Sequence, residues 1–414
     1  MSAPGQRHAL TFVVITVLLD VIGFGIIMPV MPQLLMELTG AELADASIWA
    51  GYLLVSYAVL QFLFAPVLGN LSDRFGRRPV LLVSLFVYAV NYLIMGFATT
   101  LWLLFVGRVL TGIASATHST ASAYIADVSD PEERAQNFGL LGMAFGIGFI
   151  IGPVIGGLLG DYDVRAPFFV AGALALVNTL YGFFVMKETL PESQRRPFEL
   201  ARANPVGAFM QLRRFPVITG LIFALFIYNL GHHVYPSNWN FFTMERFDWS
   251  ATDIGLSMGL VGVLMAIVQG GLIRVVIPRL GAPITAFVGF FSAAVAYIGM
   301  AFAPNELTLY VWLVVSALAG FVMPAIQGIV SNQVPQNQQG ELQGILASVS
   351  SVGAIIGPLA MTQTFAYFTT DQAPWYFPGA ALLLAGVLTL VAVGIFAMNV
   401  RGLIVAEAAR TEGS

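Results

Sequence analysis

A short charged segment between two uncharged apolar runs constrains this chain more than any other feature. Residues 48–68 and 79–98 carry no charged side chain, and each run is long enough to cross a hydrocarbon layer of about 30 Å as a helix. The segment between them reads GNLSDRFGRRPV, where Gly69 and Gly76 permit sharp backbone geometry and Pro79 suits the first turn of the next helix. We therefore predict two membrane crossings joined by a tight charged loop at 69–80. A generic positively charged loop fits the same pattern.

The composition indicates that most of this chain is surrounded by lipid. Apolar residues make up 58% of its 414 residues and charged residues only 10%. A soluble protein of this length could not bury so much apolar surface. The absence of cysteine excludes a thiol nucleophile, a disulfide framework and a thiolate metal site. The first apolar run is too long for a signal-peptide core, so we expect it to be retained as the first helix.

Twelve apolar runs of about 20 residues follow one another along the chain. They lie near 10–36, 48–68, 79–98, 100–124, 136–160, 166–186, 215–240, 254–273, 282–303, 307–331, 342–368 and 374–400. An even number places both termini on one side. Of the 18 Lys and Arg residues, all but three fall in the termini and the loops on that side; Arg165 and Arg246 lie opposite and Arg108 lies inside a crossing. This excess of Lys and Arg on the side of the termini predicts that both termini are cytoplasmic.

The longest hydrophilic stretch divides the twelve runs into two sets of six. We predict an N-terminal six-helix bundle at 1–186, a cytoplasmic linker at 187–214, a C-terminal six-helix bundle at 215–400 and a cytoplasmic tail at 401–414. Within the linker, a short surface helix near 198–204 and a plain disordered segment are equally compatible with the composition.

The two halves share landmarks at one constant offset. The sequence Ile-Ile-Gly-Pro at 150–153 recurs at 355–358, 205 residues later. The same offset carries Phe75-Gly76 onto Leu280-Gly281, and Asp127 onto Asn332. Three landmarks with one offset indicate duplication, so we predict two bundles related by a pseudo-two-fold axis with a binding site between the repeats.

Two charged residues lie deep in predicted crossings. Asp20 is the only deep acid and Arg108 the only deep cation. From the rise of a helix, Asp20 lies about 15 Å above the cytoplasmic start of its crossing and Arg108 about 12 Å below the outer start of the fourth, so the two are at similar heights. Burial favours a neutral carboxyl and a nearby guanidinium favours a charged one, a balance suited to proton exchange. A static ion pair that fastens the two helices is the alternative.

Charged residues at the cytoplasmic ends of the helices predict a latch. Asp73 is suited to dock at the electropositive start of the eleventh crossing, near Glu341. Asp127 is placed to pair with Arg77 or Arg78. Several weak contacts of this kind, formed and broken together, are enough to switch a population.

The fifth crossing carries small residues at every third or fourth position. The glycines recur from Gly139 to Gly152, Gly156 and Gly157, with Pro153 after Gly152. Such a stripe lets a neighbouring helix approach closely, and the Gly-Pro step bends the helix. Tight packing alone would explain the glycines but not the proline.

These motifs together resemble the major facilitator superfamily and, most closely, its TetA-like tetracycline and proton antiporters. The resemblance rests on Leu18-Leu19-Asp20, the Met-Pro-Val-Met-Pro run at 28–32, the segment 69–80, Gly107-Arg108, Pro167-Phe168-Phe169 and Ala325-Ile326-Gln327-Gly328. It implies that the charged loop is a latch of the outward-open state and that Gly-Pro-x-x-Gly-Gly marks antiport. Three polar positions of true tetracycline exporters are replaced here by Asn91, Met265 and Ala293, so the resemblance leaves tetracycline itself open as a substrate.

Polar and aromatic residues of the crossings are the candidates for lining a substrate cavity, although each is individually more often a packing residue. They are Tyr57, Asn91, His118, Asn178, Tyr228, Asn229, His232, His233, Tyr235, Trp239, Gln269, Gln327 and Ser351. His232 and His233 could add a second proton site, but a water-facing position in the outer part of the seventh crossing fits them better.

The sequence therefore predicts a proton-coupled antiporter for small amphipathic organic compounds in the bacterial inner membrane. We expect a monomer with protons, lipid and the small molecule as its partners, no nucleic acid, no metal and no cofactor. A proton-coupled symporter or a facilitator of a metabolite on the same scaffold is the alternative. The chain has no His-Glu-x-x-His motif, no P-loop and no soluble signalling domain, which argues against an enzyme or receptor.

Overall fold

The structure is a computed structural model that describes residues 4–115, 117–129, 133–198, 215–335, 338–371 and 373–412. Over these ranges the secondary structure is helical and contains no strand. The helices are α1 Pro4–Ile27, α2 Met31–Thr39, α3 Leu43–Phe75, α4 Arg77–Gly96, α5 Leu101–Ile113, α6 Thr117–Val128, α7 Arg134–Tyr162, α8 Ala166–Val185, α9 Pro216–His232, α10 Val234–Phe247, α11 Ala251–Ile267, α12 Ile273–Ala301, α13 Glu306–Ser316, α14 Val322–Asn332, α15 Gln339–Phe368 and α16 Ala380–Glu412. An all-helical chain satisfies its backbone hydrogen bonds internally, as a hydrocarbon environment requires.

Ten helical segments of the described ranges are long and apolar enough to cross a membrane. One of them, Ala251–Ala301, has 51 residues, which is about twice the length that a 30 Å layer needs. It contains both the eighth and the ninth predicted crossings. Leu101–Ile113, in the fourth predicted crossing, is apolar but shorter than the others. The count of twelve crossings stays a prediction.

Two predicted crossings are interrupted. The first, predicted at 10–36, breaks at residues 28–30, where a turn separates α1 from α2. Pro29 has no backbone N–H to donate and Pro32 is suited to the first turn of a new helix, so the chain restarts there. The fourth, predicted at 100–124, breaks after Ile113 and resumes at Thr117.

The predicted loop at 69–80 is almost entirely helical, which corrects the expectation that the whole charged segment is a loop. Helix α3 continues through Gly69 to Phe75, and α4 begins at Arg77. Only Gly76 leaves the helical conformation, with φ of 106°. Gly281, 205 residues later, also interrupts a helix with a positive φ, of 78°. This region of φ is open to glycine and strained for other residues, which explains why both breaks fall on glycine.

The described chain contains two compact units. The first comprises Met1–Glu42, Tyr52–Pro205 and Trp249–Gly262. The second comprises Leu43–Gly51, Val206–Asp248 and Val263–Ser414. The boundary at residues 205 and 206, where the first unit gives way to the second, falls inside the predicted linker.

The start of the predicted linker is described, and most of the rest is not. After α8 the chain runs through a short 3-10 turn at Glu192–Gln194. The possible surface helix at 198–204 falls almost wholly on residues 199–214, which lie outside the described ranges.

Candidate functional site

Asp20 and Arg108 both lie in the first unit, on α1 and α5. The Arg108 side chain is buried, with 7% of its surface exposed, whereas Asp20 is half-buried. Among the described residues, no ion pair joins the two side chains within 4.0 Å. The structure thus shows no static ion pair between these two described side chains, and their part in proton exchange stays a prediction.

Three glycines bring the helices of this site together. A Cβ on Gly23 of α1 would lie 3.4 Å from the Tyr92 ring of α4. A Cβ on Gly107 of α5 would lie 2.2 Å from Asn91 Oδ1 of α4. The Gly23 contact is an ordinary van der Waals distance, whereas a side chain at Gly107 would have to displace the Asn91 amide, which lies beside the turn that carries Arg108.

Glycine also brings α5 against α3. A Cβ on Gly112, one turn after Arg108, would lie 2.9 Å from the Tyr57 carbonyl oxygen. This contact brings the backbone of α3 at Tyr57 against α5, one turn from Arg108. Gln61, one turn along α3, donates from Nε2 to the Tyr57 hydroxyl at 3.0 Å and orients it.

Three tyrosines interact with the two charges. Tyr57 and Tyr92 interact electrostatically with both Asp20 and Arg108. Tyr88 interacts with both charges as well, and its hydroxyl lies beside that of Tyr57. The candidate list contained Tyr57 but missed Tyr88 and Tyr92. Tyr88 and Tyr92 are four residues apart and lie on the same face of α4 as Asn91. This spacing was the signal that could have found them.

Asn91 is buried at the edge of this group, with 2% of its surface exposed. Its Nδ2 donates to Met95 Sδ at 3.5 Å, a weak acceptor, and its buried Oδ1 has no hydrogen-bond partner among the described residues. Arg108 Nε is likewise buried and has no hydrogen-bond partner among the described residues. We call Asp20, Tyr57, Tyr88, Asn91, Tyr92 and Arg108 the polar cluster.

Asn178 does not belong to the polar cluster. Its side chain is completely buried, and its Nδ2 donates to the Thr16 carbonyl oxygen of α1 at 3.0 Å. This hydrogen bond joins α8 to α1. In the structure Asn178 therefore contributes to helix packing and does not line a cavity.

The charged residues near Gly76 form a second group in the first unit. Arg77 Nη1 contacts Asp73 Oδ1 at 2.5 Å, and Arg77 Nε contacts Asp127 Oδ2 at 3.1 Å. The predicted pairing of Asp127 with Arg77 is thus present. Arg78 instead donates to the Phe183 carbonyl oxygen at 2.7 Å. The function of this group as a latch, including the part assigned to Glu341 in the first turn of α15, stays a prediction.

Sequence reasoning missed Glu188, which caps α4. Its carboxylate accepts from the backbone N–H of Arg77 at 2.8 Å and of Arg78 at 3.2 Å. A Cβ on Gly76 would overlap Glu188 Oε2, the end of a flexible side chain, so the positive φ is the main reason for glycine at position 76. The acid satisfies free N–H groups at a helix start. Because it is 111 residues from Arg77 in sequence, no local pattern announced it.

The glycine stripe of α7 packs closely on α1, the helix that carries Asp20. A Cβ on Gly152 would lie 2.7 Å from the Ile22 carbonyl oxygen, and one on Gly156 only 1.9 Å from that of Ile26. Gly157 makes a similar approach to Ala251 at the start of α11. The stripe is divided, since Cβ atoms on Gly139, Gly142 and Gly146 would meet no described atom within 4 Å. The predicted close approach is confirmed for the C-terminal part of the stripe only.

The second unit contains a related contact. A Cβ on Gly357 of α15 would lie 2.7 Å from His233 Cβ and 3.2 Å from the Leu230 carbonyl oxygen of α9. Gly357 is the counterpart of Gly152 at the offset of 205. In both units the glycine before the proline faces the first helix of its own half.

His232 and His233 are half-buried and hydrogen-bonded within the second unit, and the water-facing position favoured for them stays a prediction. His232 Nδ1 is hydrogen-bonded to the Tyr297 hydroxyl at 2.8 Å, and its ring stacks on that of Tyr228 at 5.4 Å between centroids. His233 Nδ1 contacts the Asn229 carbonyl oxygen at 2.9 Å. The aromatic contacts of the His232 ring come from α9, α10 and α12.

The remaining candidates of the second unit occupy varied environments. Tyr235 packs against Trp239, which is buried, and against the ring of Tyr297. Gln327 donates to Gln343 at 3.2 Å, and Ser351 donates to the carbonyl oxygen of Ala347 at 2.9 Å.

Three further positions complete the candidates. Gln269 is exposed in the π-helical turn Val268–Leu272. Met265 is half-buried, and Ala293 is fully buried. The side chain of His118, a candidate of the first unit, lies outside the described part of the structure. Over the described residues there is no group of three or more His, Cys, Asp or Glu side chains that could hold a metal ion.

Comparisons with known proteins identify the class of this helical transporter. The family model described as Major Facilitator Superfamily matches residues 13–358 and 279–402. The chain belongs to the Major Facilitator Superfamily.

Within this superfamily the chain is a TetA-like transporter. It is 41% identical over 383 residues to the tetracycline resistance protein, class C, of Escherichia coli, an alignment that covers 92% of this chain and 95% of the relative. Multidrug resistance protein 2 of Bacillus subtilis (strain 168) is 27% identical, with 89% of this chain and 91% of the relative covered.

Solved structures agree on the fold. The human organic anion transporter MFSD10 superposes with a TM-score of 0.69 at 25% identity, covering 95% of this chain and 100% of the other. An inward-facing bacterial homologue of the human lysosomal transporter Spinster superposes with a TM-score of 0.79 at 17% identity, covering 97% and 98%.

Proposed function

We propose that this chain exports small amphipathic organic compounds across the bacterial inner membrane in exchange for protons, by alternating access. In this proposal a single molecule has twelve transmembrane helices in two six-helix bundles, at 1–186 and 215–400, related by a pseudo-two-fold axis with both termini in the cytoplasm. Similarity to proteins named for resistance to tetracycline and to multiple drugs supports export of drugs.

The observation that supports proton coupling is the environment of the Asp20 carboxyl group. Its half-buried carboxyl lies on an apolar helix, and no cation is within 4.0 Å of it among the described residues. A carboxylate in this environment is costly, whereas a protonated carboxyl is tolerated. Asp20 is therefore suited to take a proton from one side and release it to the other, and Arg108 adjusts its charge state through the tyrosines.

The energy of one proton is sufficient. A proton that moves down about 100 mV and one pH unit releases about 3.7 kcal/mol, which supports a gradient of several hundredfold for a neutral solute. No second deep acid is required.

The test uses proton release from acid-loaded vesicles. Inside-out vesicles containing the protein are acidified inside, and tetracycline, ethidium or norfloxacin is added while a fluorescent dye reports the internal pH. An antiporter releases protons when a transported compound is added, whereas a symporter or a facilitator does not. We expect release with at least one compound of the panel.

The Asp20→Asn variant separates the proton site from the scaffold. It should abolish drug-induced proton release, because the amide cannot take up a proton. Asp45→Asn is the matched control, since Asp45 is an exposed acid in the first turn of α3. Full proton release by Asp20→Asn would contradict the assignment.

A further inference from the structure

The start of α11 depends on an acid from another helix. Asp161, near the C-terminal end of α7, accepts from the backbone N–H of Ala251 at 3.0 Å with Oδ1 and from that of Thr252 at 3.3 Å with Oδ2. The next two N–H groups of α11 donate to oxygen atoms of Ser250. A helix start leaves four N–H groups without a partner inside the helix, so Asp161 supplies half of this cap, from 90 residues away in sequence.

Glycines bring α7 and α11 close enough for this cap. A Cβ on Gly157 of α7 would overlap the Ala251 carbonyl oxygen. A Cβ on Gly255 of α11 would overlap the Pro153 carbonyl oxygen. Backbone packs directly on backbone at both places, and Asp161 lies four residues after Gly157 on the same helix. A separation of the two helices by a few Å would therefore break both hydrogen bonds of Asp161.

The repeat places a related contact in the second unit, but without an acid. Ser47 of α3 is the counterpart of Thr252 at the offset of 205, and its Oγ donates to the Thr362 carbonyl oxygen of α15 at 3.4 Å. The counterpart of Asp161 is Ala366, which is buried. Close approach of these helices thus does not require a carboxylate, so the carboxylate is a feature of one of the two related contacts.

The cap joins helices that the proposed function assigns to different bundles. There α7 lies in the bundle at 1–186 and α11 in the bundle at 215–400, whereas the compact first unit includes Trp249–Gly262. We infer that Asp161 is a positioning residue of the export cycle. Its carboxylate holds the facing ends of α7 and α11 together in the described conformation and releases the start of α11 when the bundles part there. The inference rests on the proposed alternating access, because a rigid chain would never break the cap.

The strength of this cap suits a reversible step. Asp161 is exposed, so water can replace Ala251 and Thr252 as its partners when the helices separate. The contribution of a helix cap corresponds to a factor of roughly 2 to 30 in an equilibrium constant. A factor of this size changes the populations of two conformations and leaves both accessible.

Electron paramagnetic resonance tests the inference by measuring a distance between the two helices in the full chain. Spin labels are attached to Leu158→Cys of α7 and Leu256→Cys of α11, whose side chains are 58% and 50% exposed. The sequence has no cysteine, so both labels are unique. The protein is measured in lipid nanodiscs without cargo or a proton gradient. We expect a major population with the two labels close together, and Asp161→Ala should raise the ratio of separated to close pairs by roughly 2- to 30-fold.

Asp163→Ala is the matched control. Asp163 is also exposed, and its Oδ1 accepts from the backbone N–H groups of Arg165 and Ala166 at the start of α8. These partners are its neighbours in sequence, so the loss of this acid should lower thermal stability about as much as the loss of Asp161 and leave the distance between the labels unchanged. Asp161→Asn keeps one acceptor oxygen and should shift the ratio in the same direction as Asp161→Ala, but less.

The outcomes separate this inference from the proposed function. An unchanged distance distribution in folded Asp161→Ala, an equal shift in Asp163→Ala, or the absence of close pairs in the unsubstituted chain overturns the inference. If Asp161→Ala does not fold, an unchanged distribution in Asp161→Asn overturns it. If the distance responds as expected but no compound releases protons from vesicles, Asp161 keeps this role and proton exchange is wrong. If protons are released and the distance does not respond, the antiporter stands and only the role of Asp161 is wrong.

Discussion

At the scale of single residues, a pair that looked complementary in sequence is separated in the structure. Asp20 and Arg108 are at similar predicted heights, and that estimate said nothing about the direction of their side chains. Three tyrosines lie close to both, and two of these were not among the candidates. Depth follows from counting residues along a helix, whereas side-chain pairing depends on how each helix is rotated against its neighbours.

Glu188 is a residue whose importance only the structure revealed, and its removal gives a stability prediction. Glu188→Ala should lower the free energy of unfolding by about 1 kcal/mol, because the first N–H groups of α4 lose their acceptor. Thermal unfolding in detergent measures the change.

Glu192→Ala is the control for this prediction. Glu192 is also an acid at the start of the linker, but its side chain is 89% exposed and lies 3.8 Å from Arg195. Its loss should be almost neutral. Equal effects of the two variants would show that the cap at Glu188 contributes nothing specific.

At the scale of helices, the glycines of α7 have two different environments that the sequence does not distinguish. Both Gly142 and Gly156 belong to one stripe of small residues. Only Gly156 is pressed against the backbone of α1, while a Cβ on Gly142 would meet no described atom within 4 Å. The sequence predicted a close helix partner, and the structure decided which half of the stripe receives it.

This difference yields a paired substitution at the scale of the helix. Gly156→Ala should destabilise the protein by about 1 to 3 kcal/mol, because its methyl group would overlap the Ile26 carbonyl oxygen and displace α1. Gly142→Ala should be neutral or slightly stabilising, since alanine favours a helix. Unfolding measured by heating in detergent compares the two. Similar losses for both variants would contradict the packing of α7 on α1.

At the scale of the whole molecule, the number of crossings and their direction remain predictions that the chain itself makes easy to test. The natural sequence has no cysteine, so a single introduced cysteine is a unique label. Ser193 in the linker and Asp371 between α15 and α16 are both exposed. With twelve crossings and cytoplasmic termini, Ser193 lies in the cytoplasm and Asp371 outside.

An impermeant maleimide should therefore label Ser193→Cys only in inside-out vesicles and Asp371→Cys only in right-side-out vesicles. The membrane is impermeable to the charged reagent, so labelling reports the side directly. Labelling of both positions from the same side would require an even number of crossings between them, against the five that are predicted between Ser193 and Asp371.

The sequence alone determined the helical class of this chain and the apolar surroundings that its composition requires, and it predicted two repeated halves. Apolar runs long enough to cross a bilayer leave helix as the form that satisfies the backbone, and the offset of 205 correctly relates the two glycines with positive φ. The tertiary structure decided which side chains meet. It leaves Asp20 and Arg108 without an ion pair among the described residues, caps α4 with Glu188, and packs the His232 ring against aromatic side chains. These depend on helix rotations and close approaches between residues far apart in sequence, which local patterns do not encode.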